Sequence, residues 1–216
     1  VSSRAKAAQK NIEAIVPSQT PLKDRSVLSI SEDFITGMVE AARESKEQGG
    51  KVTKEIRSKL DKLSEYVDVV SLARKSLGTR WGNLPKSQRN EFIDTLSDIL
   101  EEIVYPKAVN ISARADDFVY KQEEKSKNFV LITGFIEREK LGEIISNPFT
   151  MRLEFDLKTR KIVDAYVEEE LISANLKRQF DRALEKRNFA EIINLMKKRV
   201  AKARKENSSS STAGAR

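Results

Sequence analysis

The 216-residue chain contains no cysteine and no histidine, and only one tryptophan, five prolines and eight glycines. The first two absences remove thiolate nucleophiles, Ser-His and Cys-His pairs, imidazole bases and the usual zinc ligand sets, so any catalysis would rest on carboxylates or lysine. Lack of cysteine suits an oxidising compartment, where stray disulfides are avoided, and suits a reducing one equally well. No run of 18 or more apolar residues occurs and no secretory h-region opens the chain, so neither a spanning helix nor a signal segment is expected in it.

What is present is 39% apolar and 34% charged, enough for one sizeable core with polar ends. The reading is one domain over 28–205, a flexible arm over 1–27 and a disordered tail over 206–216. The net charge of +7 is concentrated. From Ala174 to Lys205 eleven Lys and Arg face only Asp181, Glu185 and Glu191, a surplus of eight, and the remainder is close to neutral. Such a segment is a solvated helix face or a surface for an anionic partner, with Lys197, Lys198 and Arg199 as the docking candidates.

Periodicity divides the chain. "SISE" (Ser29 to Glu32) has capping-box spacing, and Phe34, Ile35, Met38, Val39 and Ala42 follow on one helical stripe that "QGGK" should stop near Gln48. From Thr53, Ile56, Leu60, Leu63 and Val67 form one stripe and Tyr66, Val70, Ala73 and Leu77 another, predicting two helices with a bend near Ser64. Gly78 to Pro85 breaks the pattern. Phe92, Leu96, Ile99 and Ile103, widened by Ile93, Leu100 and Val104, resume it until Pro106 interrupts or ends the helix near Tyr105. The period then turns to two. "FVYKQ", "NFVLITGFIE", "FTMRLEFDL" and "KIVDAYVEE" predict four strands. In the third, Phe149, Met151, Leu153, Phe155 and Leu157 share a face, and "DLKTRK" makes a hairpin to the fourth. Helical spacing returns at Leu176, Phe180 and Leu184 and again from Phe189 to Val200. The predicted class is α+β: helices, a four-stranded antiparallel meander and closing helices, with helices on a single sheet face.

The segment "YVDVVSLARKSLGTRWGNLPKSQRNEFIDTLSDILEEIVY" resembles the signature of the periplasmic phospholipid-binding MlaC family, the toluene-tolerance auxiliary proteins. That signature runs from Ala-Arg-x-x-Leu-Gly to a Trp and on to Gln-Arg-x-x-Phe. Here these are Ala73-Arg74, Leu77-Gly78, Trp81, Gln88-Arg89 and Phe92. "KIVDAYVEEELISANLKRQF" is similar to the family's last strand and following helix, through Asp164, Glu168, Ala174-Asn175 and Gln179-Phe180, and "NFAEIINLMKKRV" to its closing helix. The likeness covers roughly 31 to 200. It departs where Glu169, Glu170 and Leu171 replace a Gly followed by Val-Ser, where Pro85 replaces a Ser or Thr cap, and across the weakly similar strands from 106 to 148.

The resemblance implies an NTF2-like or cystatin-like fold whose helices and curved sheet enclose a lipid-tail pocket. It also implies a soluble, monomeric shuttle in the periplasm between an inner-membrane ABC transporter complex bearing an MCE domain and an outer-membrane lipoprotein complex, maintaining outer-membrane lipid asymmetry. Phospholipid would be cargo, with no cofactor, metal or catalytic residue. Candidate pocket residues are Tyr66, Val70, Ala73, Leu77, Trp81, Phe92, Leu96, Leu100, Met151, Leu153, Phe155, Val163, Val167 and Leu176, although taken singly each reads as ordinary core before it reads as ligand contact. Trp81 either plugs a helix join or sits at a pocket rim; Gln88 and Arg89 would brace that join, with Asp164 or Glu168 as partners for Arg89. Two other readings stand beside the carrier. One is an NTF2-like enzyme using Asp164 with Tyr66 or Tyr166; the other is a nucleic-acid module using the basic segment, whose binding would fall steeply with salt.

Overall fold

The computed structural model describes residues 20–112, 117–140, 143–167 and 170–212. After a 3-10 turn at Leu22–Asp24 come six helical segments. These are α1 Val27–Glu47, α2 Lys54–Ser64, α3 Val69–Leu77, α4 Arg80–Asn83, α5 Lys86–Ile99 and α6 Tyr105–Ser112. Strands β1 Asp117–Ser126, β2 Phe129–Lys140, β3 Glu143–Phe155, β4 Ile162–Val167 and β5 Glu170–Leu171 follow, then α7 Ile172–Leu184 and α8 Phe189–Thr212. The α+β order matches expectation, but five strands, not four, form one antiparallel sheet in sequence order. The extra strand pairs only Leu171 with Tyr166 and Glu170 with Val167, too short to show a period in sequence.

Several boundaries move, each for a local reason. Ser26, not Ser29, caps α1: its hydroxyl accepts the Ser29 amide at 3.1 Å, and buried Val27 and Ile30 draw that turn into the helix. The arm therefore ends earlier than residue 27, and residues 1–19 lie outside the described chain. The break near Ser64 is a turn at Glu65 and Tyr66 followed by a single bridge of Val67 to Ile162; Asp68 N–H donates to Ile162 O and Ile162 N–H to Tyr66 O, both at 2.8 Å, beside β4. Asp68 then caps α3 by accepting the Ser71 amide at 2.9 Å. Gly78 ends α3 with φ of 56°, a left-handed backbone that a side chain would strain.

Pro106 interrupts its helix without ending it. A π turn over Leu100–Val104 joins α5 to α6, with Tyr105 N–H reaching back to Leu100 O. Strand β3 begins at Glu143, six residues before the predicted start, even though it contains Pro148. The reason is topological: β4 pairs only with Met151 to Phe155, so residues 143–150 form an open edge where a proline is tolerated. Helix α8 runs on to Thr212, so residues 206–212, read as tail, are helical; Asn207 is tied to the Glu102 carbonyl.

Two apolar clusters result. One is all-helical, with Leu60, Leu63, Ala73, Leu77, Phe92, Leu96, Ile193 and Met196. Phe92 meets Phe180 edge-on at 5.1 Å and Phe189 at 6.0 Å, so this interior is filled by rings. The other lies between α1 and the sheet: Val27, Ile30 and Ile35 against Val130, Ile132, Leu153, Phe155 and Ile162. Helices do not keep to one sheet face, as was expected. Asp164 pairs with Glu154 on the face opposite Leu153, yet is 3% exposed, because Ser173 at the start of α7 and Lys75 of α3 cover it.

Candidate functional site

The seam between the two clusters is the place where apolar side chains are left half-covered. Phe34, Tyr66 and Val67 pack against both clusters, and the rings of Phe34 and Tyr66 meet at 6.4 Å. Around them Met38 and Val39 from α1, Tyr120 from β1 and Phe149 and Met151 from β3 are partly buried. Helix α1 is tethered to the sheet here by polar contacts: Ser31 Oγ donates to Gln122 Oε1 at 2.5 Å, and the Thr36 and Tyr120 hydroxyls stand 3.3 Å apart.

Burial falls steadily outward along β3. Phe155 and Leu153 are buried, Met151 and Phe149 half-buried, and Ile145, on the same face by alternation, is exposed. The sheet thus carries its apolar face past the cover that α1 provides. On the opposite face of the sheet, Ile144 of β3 is 71% exposed and Phe135 of β2, paired with Pro148, 48% exposed. At the other end of the seam is a polar knot. Arg25 donates to Asp33 at 2.6 Å and to the Ser29 carbonyl at 3.1 Å, while the Tyr66 hydroxyl donates to Asp33 at 3.3 Å. Burial works against the Arg25 charge, but the Asp33 carboxylate holds its pKa above the ordinary value; burial pushes the Tyr66 phenol up.

The predicted pocket residues divide between the clusters. Ala73, Leu77, Phe92, Leu96 and Leu100 are buried in the helical cluster, with Trp81 and Leu176 packed at its margin; Leu153, Phe155 and Met151 belong to the sheet cluster, and Tyr66 touches both. Val163 sits at the bulge where β4 slips against β3, and Val167 pairs with Met151. Val70 lies in the first turn of α3 and is 42% exposed, although its spacing puts it on the side of Ala73 and Leu77.

Trp81, on the four-residue α4, has the guanidiniums of Arg74 and Arg89 at 6.0 and 5.8 Å from its ring centroid. Arg89 does not reach Asp164, which accepts from the Ser173 amide and hydroxyl at 3.1 and 2.5 Å and from Lys75 at 3.4 Å; Glu168 lies outside the described residues. Within the basic segment, Lys197 pairs with Glu91 at 2.6 Å and Arg204 with Asp98 at 2.6 Å, while Lys198 and Arg199 are exposed. Sequence reasoning missed Arg25 and Asp33. The signal available was Ser26, whose cap places Arg25 just before a helix and Asp33 two turns along it.

No helix among the described residues is long and apolar enough to cross a membrane. The fold matches that of a phospholipid-binding protein from Ralstonia solanacearum, solved in complex with a phospholipid, at a TM-score of 0.59 and 16% identity. The match covers 83% of this chain and 99% of that one. No curated protein matches significantly. The fold is therefore that of an α+β, sheet-and-helix protein already seen with a lipid in one distant case. The chain belongs to the MlaC protein family, whose pattern it matches over residues 32–198.

Proposed function

We propose that the chain is a phospholipid carrier whose cargo tails lie in the seam between α1 and the sheet, entering over the outer half of β3. The observation that carries this is the falling burial from Phe155 through Met151 and Phe149 to Ile145, a mainly apolar track, broken at Asn147, that leads out of the core. Burying a methylene contributes about 0.8 kcal/mol, so two acyl chains of roughly 30 methylenes cost on the order of 20 kcal/mol to carry bare through water. Matching apolar area is all that such a carrier needs, and no bond must be made or broken. The half-buried residues of the seam supply that area, and the Arg25–Asp33–Tyr66 knot supplies polar groups at one end of it.

In this reading the fold is the NTF2-like or cystatin-like cone of its family. The chain works in the periplasm as a shuttle between an MCE-domain ABC transporter complex of the inner membrane and an outer-membrane lipoprotein complex, preserving lipid asymmetry. Lys198 and Arg199 are the docking cations on α8, since Lys197 is engaged by Glu91. Native mass spectrometry of the purified chain, followed by organic extraction, tests the cargo: a retained phospholipid mass that moves to acceptor vesicles is expected. A chain that neither retains nor takes up labelled phospholipid sinks the proposal. For docking, Lys198→Glu with Arg199→Glu should weaken binding to the transporter complex and leave lipid retention intact.

A further inference from the structure

The Trp81 cluster is built from the sequence signature but takes no part in the seam. Around it, cations are matched with care. Arg80 pairs with Asp181 at 3.2 Å, Lys177 with Asp181 at 2.5 Å, and Lys75 with Glu154 and Asp164 at 3.4 Å. Arg74 and Arg89 are the exceptions: among the described residues neither has a carboxylate within ion-pair distance, and both turn to the face or edge of the same indole. Moreover, Arg89 Nε is buried and has no acceptor. A buried donor left unmatched is costly, and two guanidiniums on one ring repel, so the cluster is arranged for an acceptor that comes from outside.

We propose that Arg74, Trp81 and Arg89 form a docking site for an acidic polypeptide segment, with a carboxylate held by the guanidiniums and the indole as the apolar anchor beside it. Tryptophan and arginine are the side chains that concentrate binding energy at protein interfaces, and an Arg fork matches a carboxylate in two bonds. A lipid head group fits less well. Beneath the cluster lie Leu77, Phe92 and Leu96, all buried and sealed by Phe180, so no acyl chain can follow its phosphate down at this position. The site is separate from the seam, and the inference stands whether or not the seam carries lipid.

Because Trp81 is the sole tryptophan, its fluorescence reports the site directly. The full chain is titrated at low salt with a short synthetic poly-glutamate peptide, and in parallel with sodium phosphate and with phosphatidylglycerol vesicles. A saturable change in Trp81 emission with the peptide is expected, weakened about tenfold or more by Arg74→Gln and by Arg89→Gln and unaffected by Lys198→Gln with Arg199→Gln. Arg74 is exposed, so Arg74→Gln keeps the fold, and circular dichroism checks both variants. The proposal is overturned if the peptide leaves the emission unchanged, if the two Arg variants bind as tightly as the parent, or if phosphate or vesicles alone give the full response. It is equally overturned if Glu168→Gln with Glu169→Gln shifts the emission of the free chain, since the acceptor would then be internal.

Discussion

Asn207 Nδ2 donates to the carbonyl oxygen of Glu102 at 3.3 Å, four residues before a proline that has no amide to offer that carbonyl. The last helix thus braces the weak point of α5 and α6, where the ladder passes through a π turn. Arg204 adds ion pairs to Asp98 at 2.6 Å and Glu102 at 3.0 Å, and Arg57 of α2 reaches the same Glu102 carboxylate.

From this, Asn207→Ala should cost about 1 kcal/mol, as one partly buried hydrogen bond does. In a Pro106→Ala background, where an amide is restored beside that carbonyl, the same change should cost less. Thermal unfolding of the four chains measures the coupling; equal costs in both backgrounds would show that Asn207 acts elsewhere.

Acid should loosen the same joint. Burial opposes the Glu102 charge, but hydrogen bonds from Arg204 and Arg57 outweigh it and hold its pKa below the ordinary carboxylate value. A depressed folded pKa gives stability that is complete above the unfolded value, near 4.3 for Glu by the usual reference, and is lost as pH falls through the lowered one. Glu102→Gln should therefore flatten the acid limb of a stability-against-pH curve, read by urea unfolding at each pH.

Alkali acts through Tyr105, whose hydroxyl is buried without an acceptor, as is the Ser64 hydroxyl. Burial pushes its pKa up to about 12. An unfolded tyrosine ionises near 10, so its stabilising effect is full below about pH 10 and falls by up to roughly 1.4 kcal/mol per pH unit as pH rises to about 12. Tyr105→Phe leaves no phenol to ionise and removes one of the two unmatched hydroxyls. The expected result is little loss at pH 7 and a base-induced unfolding midpoint moved upward; a midpoint that stays put contradicts this account.

How far the sequence carried can be judged from particular elements. Stripes such as Phe92–Leu96–Leu100 and Ile192–Ile193–Met196 were legible because burial on one helix face leaves a 3.6-residue period, and the hairpin at Asp156 was legible from its turn residues. There, Asp156 Oδ1 accepts the Lys158 and Thr159 amides at 2.9 and 2.7 Å, and Arg160 takes a φ of 58°. Periodicity says which face is apolar, not which faces meet. The helical stripe of Phe92 and the strand face of Met151 were grouped as one pocket, yet they belong to different clusters because α7 and α8 fill the space over Phe92. Long-range polar choices were equally hidden: of the two carboxylates expected for Arg89, Asp164 is taken by Lys75 and Ser173, and Arg89 stands over Trp81.

Asp164 is accordingly a structural anchor. Its oxygens accept from both the amide and hydroxyl of Ser173, locking the β4 edge to the start of α7. Asp164→Asn replaces one acceptor with a donor facing the Ser173 hydroxyl and leaves Lys75 less well matched. A loss of about 2–4 kcal/mol is expected. Ser173→Ala in the same background should cost little more, which chemical denaturation of the double variant measures.

The carrier reading separates filled core from half-covered seam, and two substitutions make the contrast. Phe92 is wholly buried among rings, so Phe92→Ala should cost about 3–5 kcal/mol. Whatever remains folded should hold the parent complement of lipid. Met151 is half-covered at the seam, so Met151→Asp should cost less in stability, because water already reaches part of the site, while setting a charge against the acyl chains and emptying the chain of lipid. Melting curves and lipid extraction on the same samples read both quantities. If Met151→Asp retains lipid as the parent does, the tails lie elsewhere, and the half-covered track along β3 has another use.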